Sequence, residues 1–137
     1  MDSLDREILA ILRRDSRTPY TEIADAVGTS EGTVRNRVDR MLEDGVIERF
    51  TVATRTGNVK AMVEIDVAVD VDTTAVSDGM ADWSEVDFVW QVSGEEDIVI
   101  VADTTDTGAL NGLITRAREL DEVVSTKTRL ILDENLG

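Results

Sequence analysis

SEGTVRNRVDRMLEDG, running from Ser30 to Gly45, decides how this chain is read. Val34, Val38, Met41 and Leu42 fall at i, i+4, i+7 and i+8, the spacing of one apolar stripe on a helix. Ser30 is a good N-cap and Gly45 a good C′ residue, so suitable chemistry bounds the helix at both ends. At about 100° per residue, Thr33, Asn36 and Arg40 point away from the stripe, with Arg35 and Arg37 on its flanks. That edge is polar and cationic. Such an edge can read bases and phosphates, or it can simply be solvated. Arg37 also suits an ion pair with Asp5 or another carboxylate.

Outward from this helix, Leu4, Ile8, Ile11 and Leu12 predict a first helix over Ser3–Arg14, with Asp5 and Glu7 near its N-terminus where the dipole favours anions. The segment DSRTP breaks it. Thr18 as N-cap and Pro19 at N1 predict a second helix that buries Ile23, Ala24 and Val27 and closes at Gly28. Only Gly28, Thr29 and Ser30 then separate the second helix from the third, the length and glycine content of a helix-turn-helix corner.

Beyond Gly45, VIERFTVA (Val46–Ala53) is rich in β-formers and TRTGNVK looks like a turn, which together read as a wing bearing Arg49, Arg55 and Lys60. Alternation from Ala61 to Asp72 predicts a strand with Val63, Ile65, Val67, Val69 and Val71 on one face. Its opposite-face carboxylates read as a solvated surface. A helix over Thr74–Trp83, strands over Val86–Val92 and Ile98–Asp103 joined by SGEED, a helix over Thr107–Leu120 and a strand over Val124–Leu132 follow. The order β-α-β-β-α-β is the ferredoxin-like arrangement, with two helices on one side of a four-stranded antiparallel sheet. Phe88, Trp90 and the valines of the other face are candidates for a subunit interface. The expected fold class is therefore α+β: a winged helix-turn-helix over residues 1–50, a wing or linker strand over 51–60, and a ferredoxin-like domain over 61–137.

With no cysteine and no histidine among 137 residues, disulfides, thiolate and imidazole chemistry and nearly all zinc sites are excluded. No metal, cofactor or catalytic residue is expected. No apolar run approaches the roughly 20 residues of a membrane span, and MDSLDREIL has no signal-peptide character, so the expectation is cytoplasmic. A net charge of −15 argues against a polyanionic partner until its distribution is considered. Residues 1–50 carry eight basic and eleven acidic side chains, whereas residues 51–137 carry six and eighteen. The acid load lies mostly away from the cationic helix. An acidic surface with only two lysines also suggests a salt-rich cytoplasm, where the Debye length shrinks to about 3 Å at 1 M.

LDREILAILRRDSR, EIADAVGTSEGTVRNRVDRMLEDGVIERF and the stretch from VSGEEDIVIVADTTD to VVSTKTRLIL resemble the first helix, helix-turn-helix and C-terminal half of the Lrp/AsnC (feast/famine) transcription regulators, across nearly the whole chain. The resemblance implies a DNA-binding regulator that forms dimers or higher homo-oligomers, and the acidic, lysine-poor composition makes a haloarchaeal source the expectation. The resemblance also implies an amino acid effector held between subunits in the C-terminal (RAM) domain. Ser30, Thr33, Asn36, Arg37 and Arg40 match the family's DNA-reading helix, and Thr29 and Arg35 complete the candidate contacts. Asn can bond adenine bidentately and Arg guanine, while a helix N-terminus suits phosphate. Gly94 and Asp97 match the effector turn. Glu95 and Glu96 depart from the family's usual polar or aromatic residues, which points to a lysine or arginine effector, or to none.

Three other readings compete. A tetrapyrrole-binding decarboxylase-like enzyme of the same fold would want histidine and arginine in its cleft, and the C-terminal half offers no histidine and only Arg55, Arg116, Arg118 and Arg129. An RNA-binding module would need a base-stacking aromatic on Ile98–Asp103, which has none. A helix-turn-helix that serves only packing would be indifferent to loss of Asn36 or Arg40.

Overall fold

Three helices open the chain: α1 (Ser3–Arg14), α2 (Tyr20–Val27) and α3 (Glu31–Glu43). The computed structural model describes all residues from Met1 to Gly137 and divides into two units, Met1–Thr54 and Arg55–Gly137. In the first unit α1 is closed by a reciprocal cap, in which Asp5 N–H donates to Asp2 and Asp2 N–H donates to Asp5. Ile8, Ile23, Val34 and Val38 are fully buried, and with Leu12, Ala24, Met41 and Ile47 they make the core. Each large apolar side chain withdrawn from water contributes about 1.5–3 kcal/mol.

Three local expectations for this unit change. Pro19 is the N-cap of α2 and the helix starts at Tyr20, because the Thr18 hydroxyl donates back to the Asp15 carbonyl and so does not cap forward. Leu42 is exposed, and Ile47 fills the corresponding part of the core after the chain turns at Gly45. There Gly45, at φ +74°, donates to Leu42 O while Ile47 N–H donates to Met41 O. The expected wing strand over Val46–Ala53 is not formed. A β-prone run becomes a strand only beside another strand, and this chain supplies none there, so Val52 stays 77% exposed.

The second unit runs β1 (Val59–Val67), α4 (Thr73–Ala81), β2 (Val86–Gln91), β3 (Ile98–Thr104), α5 (Thr107–Glu119) and β4 (Val123–Leu130). Its strands form one antiparallel sheet in the order β2-β3-β1-β4, the ferredoxin-like topology. Val63 and Ile65 of β1 and Ile98, Ile100 and Ala102 of β3 share one face with Met80 of α4 and Leu113 and Ala117 of α5. Both helices therefore lie on that face.

β1 stops at Val67, five residues before the expected end. The register shifts between Asp66 and Val67, where the Asp97 carboxylate accepts the Val67 N–H at 3.0 Å and Glu122 O accepts the Ala68 N–H at 2.8 Å. Val69 is consequently 99% exposed in a turn, and Asp72 caps α4 through Ala75 N–H. On the helix-free face, Met62, Val99 and Val101 continue into Phe88 and Trp90, whose rings stack at 5.8 Å. Phe88 and Trp90 stay about half exposed, at 53% and 48%. No helix is long and apolar enough to cross a membrane.

Candidate nucleic-acid interface and effector turn

α2 and α3 meet across Gly28, Thr29 and Ser30. Gly28 takes a left-handed conformation (φ +74°) that the tight corner requires, and Thr29 N–H donates to Ala24 O. Ser30 then starts α3 by accepting the Thr33 N–H at 3.2 Å, and the two hydroxyls share a hydrogen bond at 2.9 Å. Thr29 and Thr33 are partly buried and Ser30 is exposed, so the polar N-terminus of α3 is open on one side.

The five polar α3 positions from Thr33 to Arg40 are not equivalent. Asn36 and Arg40 are exposed and form no side-chain hydrogen bond or ion pair within the chain. Arg35 donates to Glu31 one turn earlier and lies 5.4 Å from the centroid of the Tyr20 ring. Arg37 turns inward along the unit: its Nη1 lies 2.6 Å from Asp2 Oδ2 and 3.2 Å from Asp5 Oδ1. The Arg37 hydrogen bond, helped by the Asp5 N–H, lowers the Asp2 carboxyl from 3.8 to about 2. Arg37 is correspondingly raised by its bonds to Asp2 and then Asp5. Asp2, which sequence reading passed over, thus receives both a helix cap and an arginine of the candidate interface. The signal available for it was the D-x-x-D spacing of Asp2 and Asp5 at the start of α1.

Arg49 is exposed, while the other two expected wing cations are committed within the second unit. Arg55 donates to the Glu134 carbonyl, and Lys60 lies 3.0 Å from the Glu134 carboxylate, which raises its pKa.

At the opposite end of the second unit, Ser93 to Asp97 form the turn between β2 and β3. Gly94 has φ +125°, a conformation that other residues rarely adopt. Glu95 is exposed, and Glu96 pairs with Lys127 of β4 at 3.4 Å. Asp97 is stitched into the sheet: its N–H donates to Ile65 O, its carbonyl accepts from Val92 N–H, and its carboxylate holds Val67. One carboxylate oxygen of Asp97 is left for another partner. The turn brings Gly94, Glu95, Glu96 and Asp97 together as a short acidic rim.

Residues 1–42 match the AsnC-type helix-turn-helix domain, and residues 60–135 match the Lrp/AsnC ligand binding domain. The HTH-type transcriptional regulator LysM of Sulfurisphaera tokodaii is 35% identical over 133 residues, spanning 96% of this chain and 95% of that protein. The chain belongs to the Lrp/AsnC family. LysM of Saccharolobus solfataricus is 32% identical, with 96% of this chain and 94% of that protein covered. Among solved Lrp/AsnC-like structures, E. coli AsnC superposes with a TM-score of 0.76 at 27% identity, over 100% of this chain and 95% of that one. The leucine response regulatory protein LrpA of Mycobacterium tuberculosis reaches 0.83 at 25% identity, over 100% and 96%.

Proposed function

We propose that this chain is a sequence-specific, DNA-binding transcription regulator whose first unit reads duplex DNA with α3 and whose second unit joins copies of the chain and takes an amino acid effector. The observation that carries the DNA reading is the pair Asn36 and Arg40. They stand one helical turn apart on the second helix of a helix-turn-helix, exposed and uncommitted. Asn36 suits adenine and Arg40 guanine or phosphate, with Thr29, Ser30 and Thr33 at the α3 N-terminus facing the backbone and Arg35 on the flank. The functional division follows as 1–50 for DNA, 51–60 as connector and 61–137 for assembly and effector.

The apolar row from Met62 to Trp90 supports self-association, because Phe88 and Trp90 expose large aromatic surface on an otherwise acidic unit. A second copy meeting it would set two α3 helices for half-sites roughly 34–36 Å apart on a pseudo-palindromic duplex. The Gly94–Asp97 rim favours a ligand bearing ammonium groups, as a basic amino acid does. Net charge −15 with two lysines suits a salt-rich cytoplasm. The role is regulatory and not catalytic.

The test is selection of duplexes from a random-sequence library by the intact chain at high KCl, with and without lysine or arginine, alongside sedimentation velocity of the same samples. Enrichment of a two-fold-related motif and an oligomer are expected. No enriched motif overturns the DNA reading, a monomer overturns self-association, and identical behaviour with and without the amino acids overturns their role as effectors.

A further inference from the structure

We propose that Arg37 is a positioning residue for the recognition helix and makes no DNA contact, and that the α1 capping pair Asp2 and Asp5 is its receiver. The proposal rests on the DNA-binding reading and assigns a new role within that interface. All four carboxylate oxygens of the pair are committed. Asp2 Oδ1 accepts the Asp5 N–H at 2.9 Å and Asp5 Oδ2 the Asp2 N–H at 3.1 Å, which leaves Asp2 Oδ2 and Asp5 Oδ1 for Arg37 at 2.6 Å and 3.2 Å. The N-terminus of α1 and the middle of α3, more than thirty residues apart in sequence, are closed into one hydrogen-bonded unit.

Burial separates this arginine from its neighbours. Asp5 is 7% exposed and is the one buried charged residue of the first unit, and the Arg37 side chain is 24% exposed against 55% for Arg35. Withdrawing Arg37 toward a phosphate would leave the Asp5 carboxylate buried without its cation, the arrangement that carries the largest penalty for a charged pair. Arg40, one turn further along and unpaired, meets a phosphate at no such cost. The three arginines of α3 therefore divide their work. Arg35 braces the first turn, Arg37 fixes the helix against α1, and Arg40 faces outward.

The two roles give opposite signs for one substitution. Asp5→Asn removes a negative charge near the DNA-facing helix, so it raises duplex affinity if Arg37 is a DNA contact that Asp5 merely competes for. If Arg37 positions α3 through Asp5, the same change lowers affinity. Binding to a duplex enriched by the intact chain, followed by fluorescence anisotropy across a KCl series, separates them. Arg37→Gln and Asp5→Asn are each expected to lower affinity by roughly threefold to tenfold, and the double variant no further than the weaker single one. The slope of log K against log[KCl] stays at the wild-type value in both, whereas Arg40→Ala reduces it by about 0.9, one phosphate. Asp2→Asn, at an exposed position that leaves Asp5 in place, gives the same direction with a smaller change should Asp5→Asn fail to fold. Higher affinity in Asp5→Asn or Asp2→Asn, or a slope reduced by about 0.9 in Arg37→Gln, overturns the proposal. A wild-type chain that enriches no duplex at all overturns the DNA reading beneath it.

Discussion

Replacing Asp97 by alanine separates the structural role of the Gly94–Asp97 turn from the effector-binding role proposed for it. The carboxylate is the acceptor for Val67 N–H at the point where the β1–β4 register shifts. A buried donor left without a partner costs about 1–3 kcal/mol. Val67 is only partly buried, which places Asp97→Ala at about 1–2 kcal/mol. Both tryptophans, Trp83 and Trp90, lie in the second unit, so tryptophan fluorescence in urea follows its unfolding alone. With a urea slope near 1–3 kcal/mol/M, the midpoint falls by roughly 0.3–2 M at matched protein concentration. Asp97→Asn keeps an oxygen for Val67 but no charge, and it unfolds within about 1 kcal/mol of wild type. Glu95→Ala, at an exposed position, moves by no more than about 0.5 kcal/mol. Asp97→Ala unfolding at the wild-type midpoint would refute the role given to the Val67 bond. Because Asp97→Asn preserves the fold, loss of an amino acid response in that variant then reports on the charge itself.

Acid unfolding of the first unit depends on Asp2. Its folded value near 2 lies below the ordinary 3.8, so the stabilisation it gives is fully present above the ordinary value and is lost as pH falls toward 2. The melting-temperature gap between wild type and Asp2→Asn, followed by circular dichroism, is expected to stay constant from about pH 7 to 5 and to close between about 4 and 2; a gap independent of pH contradicts it. In the core of the second unit, Leu113→Ala removes a fully buried side chain and costs roughly 2–5 kcal/mol in the urea assay. Val69→Ala, in the exposed turn after β1, stays within about 0.5 kcal/mol, and a comparable loss at both positions would contradict the burial assigned to each.

What the sequence revealed follows from the range of the interactions involved. α1 and α3 are legible from residues close in sequence, α1 from its apolar spacing and the acids of its first turn and α3 from Ser30 and Gly45 at its two ends, whereas the Asp2 cap of α1 appears only in the structure. α2 is displaced by one residue because the Thr18 hydroxyl bonds backward to Asp15, an alternative that composition cannot rank. β1 is overextended for a longer-range reason. The apolar alternation continues through Val69 and Val71, but the ladder is broken by Asp97 and Glu122, 30 and more residues away. The wing over Val46–Ala53 has the composition of a strand and no neighbour in this chain to pair with. Arg37 could be narrowed to two roles by its position on the helix flank, and only the distances to Asp2 and Asp5 decide between its partners within the fold. The acidic rim was legible as composition, whereas the use of Asp97 to hold Val67 was not.

The distribution of committed charges bears on how tightly a single first unit can hold DNA. Of the three arginines on α3, two are neutralised by Glu31, Asp2 and Asp5, and Arg55 and Lys60 are occupied by Glu134. Arg40 is the one arginine of α3 with no ionic partner, on a unit whose residues 1–50 carry a net −3. Duplex affinity grows with the number of phosphates neutralised and falls steeply with salt, so one such unit binds weakly, and more weakly still in concentrated salt. Tethering a second unit makes its binding intramolecular and raises overall affinity by roughly 10²–10⁴ without any new contact to DNA. Self-association through the Phe88 and Trp90 face would supply that tether. On this reasoning the proposed self-association would supply much of the affinity and exposed residues of α3 such as Asn36 the choice of sequence, and a ligand at the Gly94–Asp97 turn that altered assembly would alter DNA occupancy without touching α3.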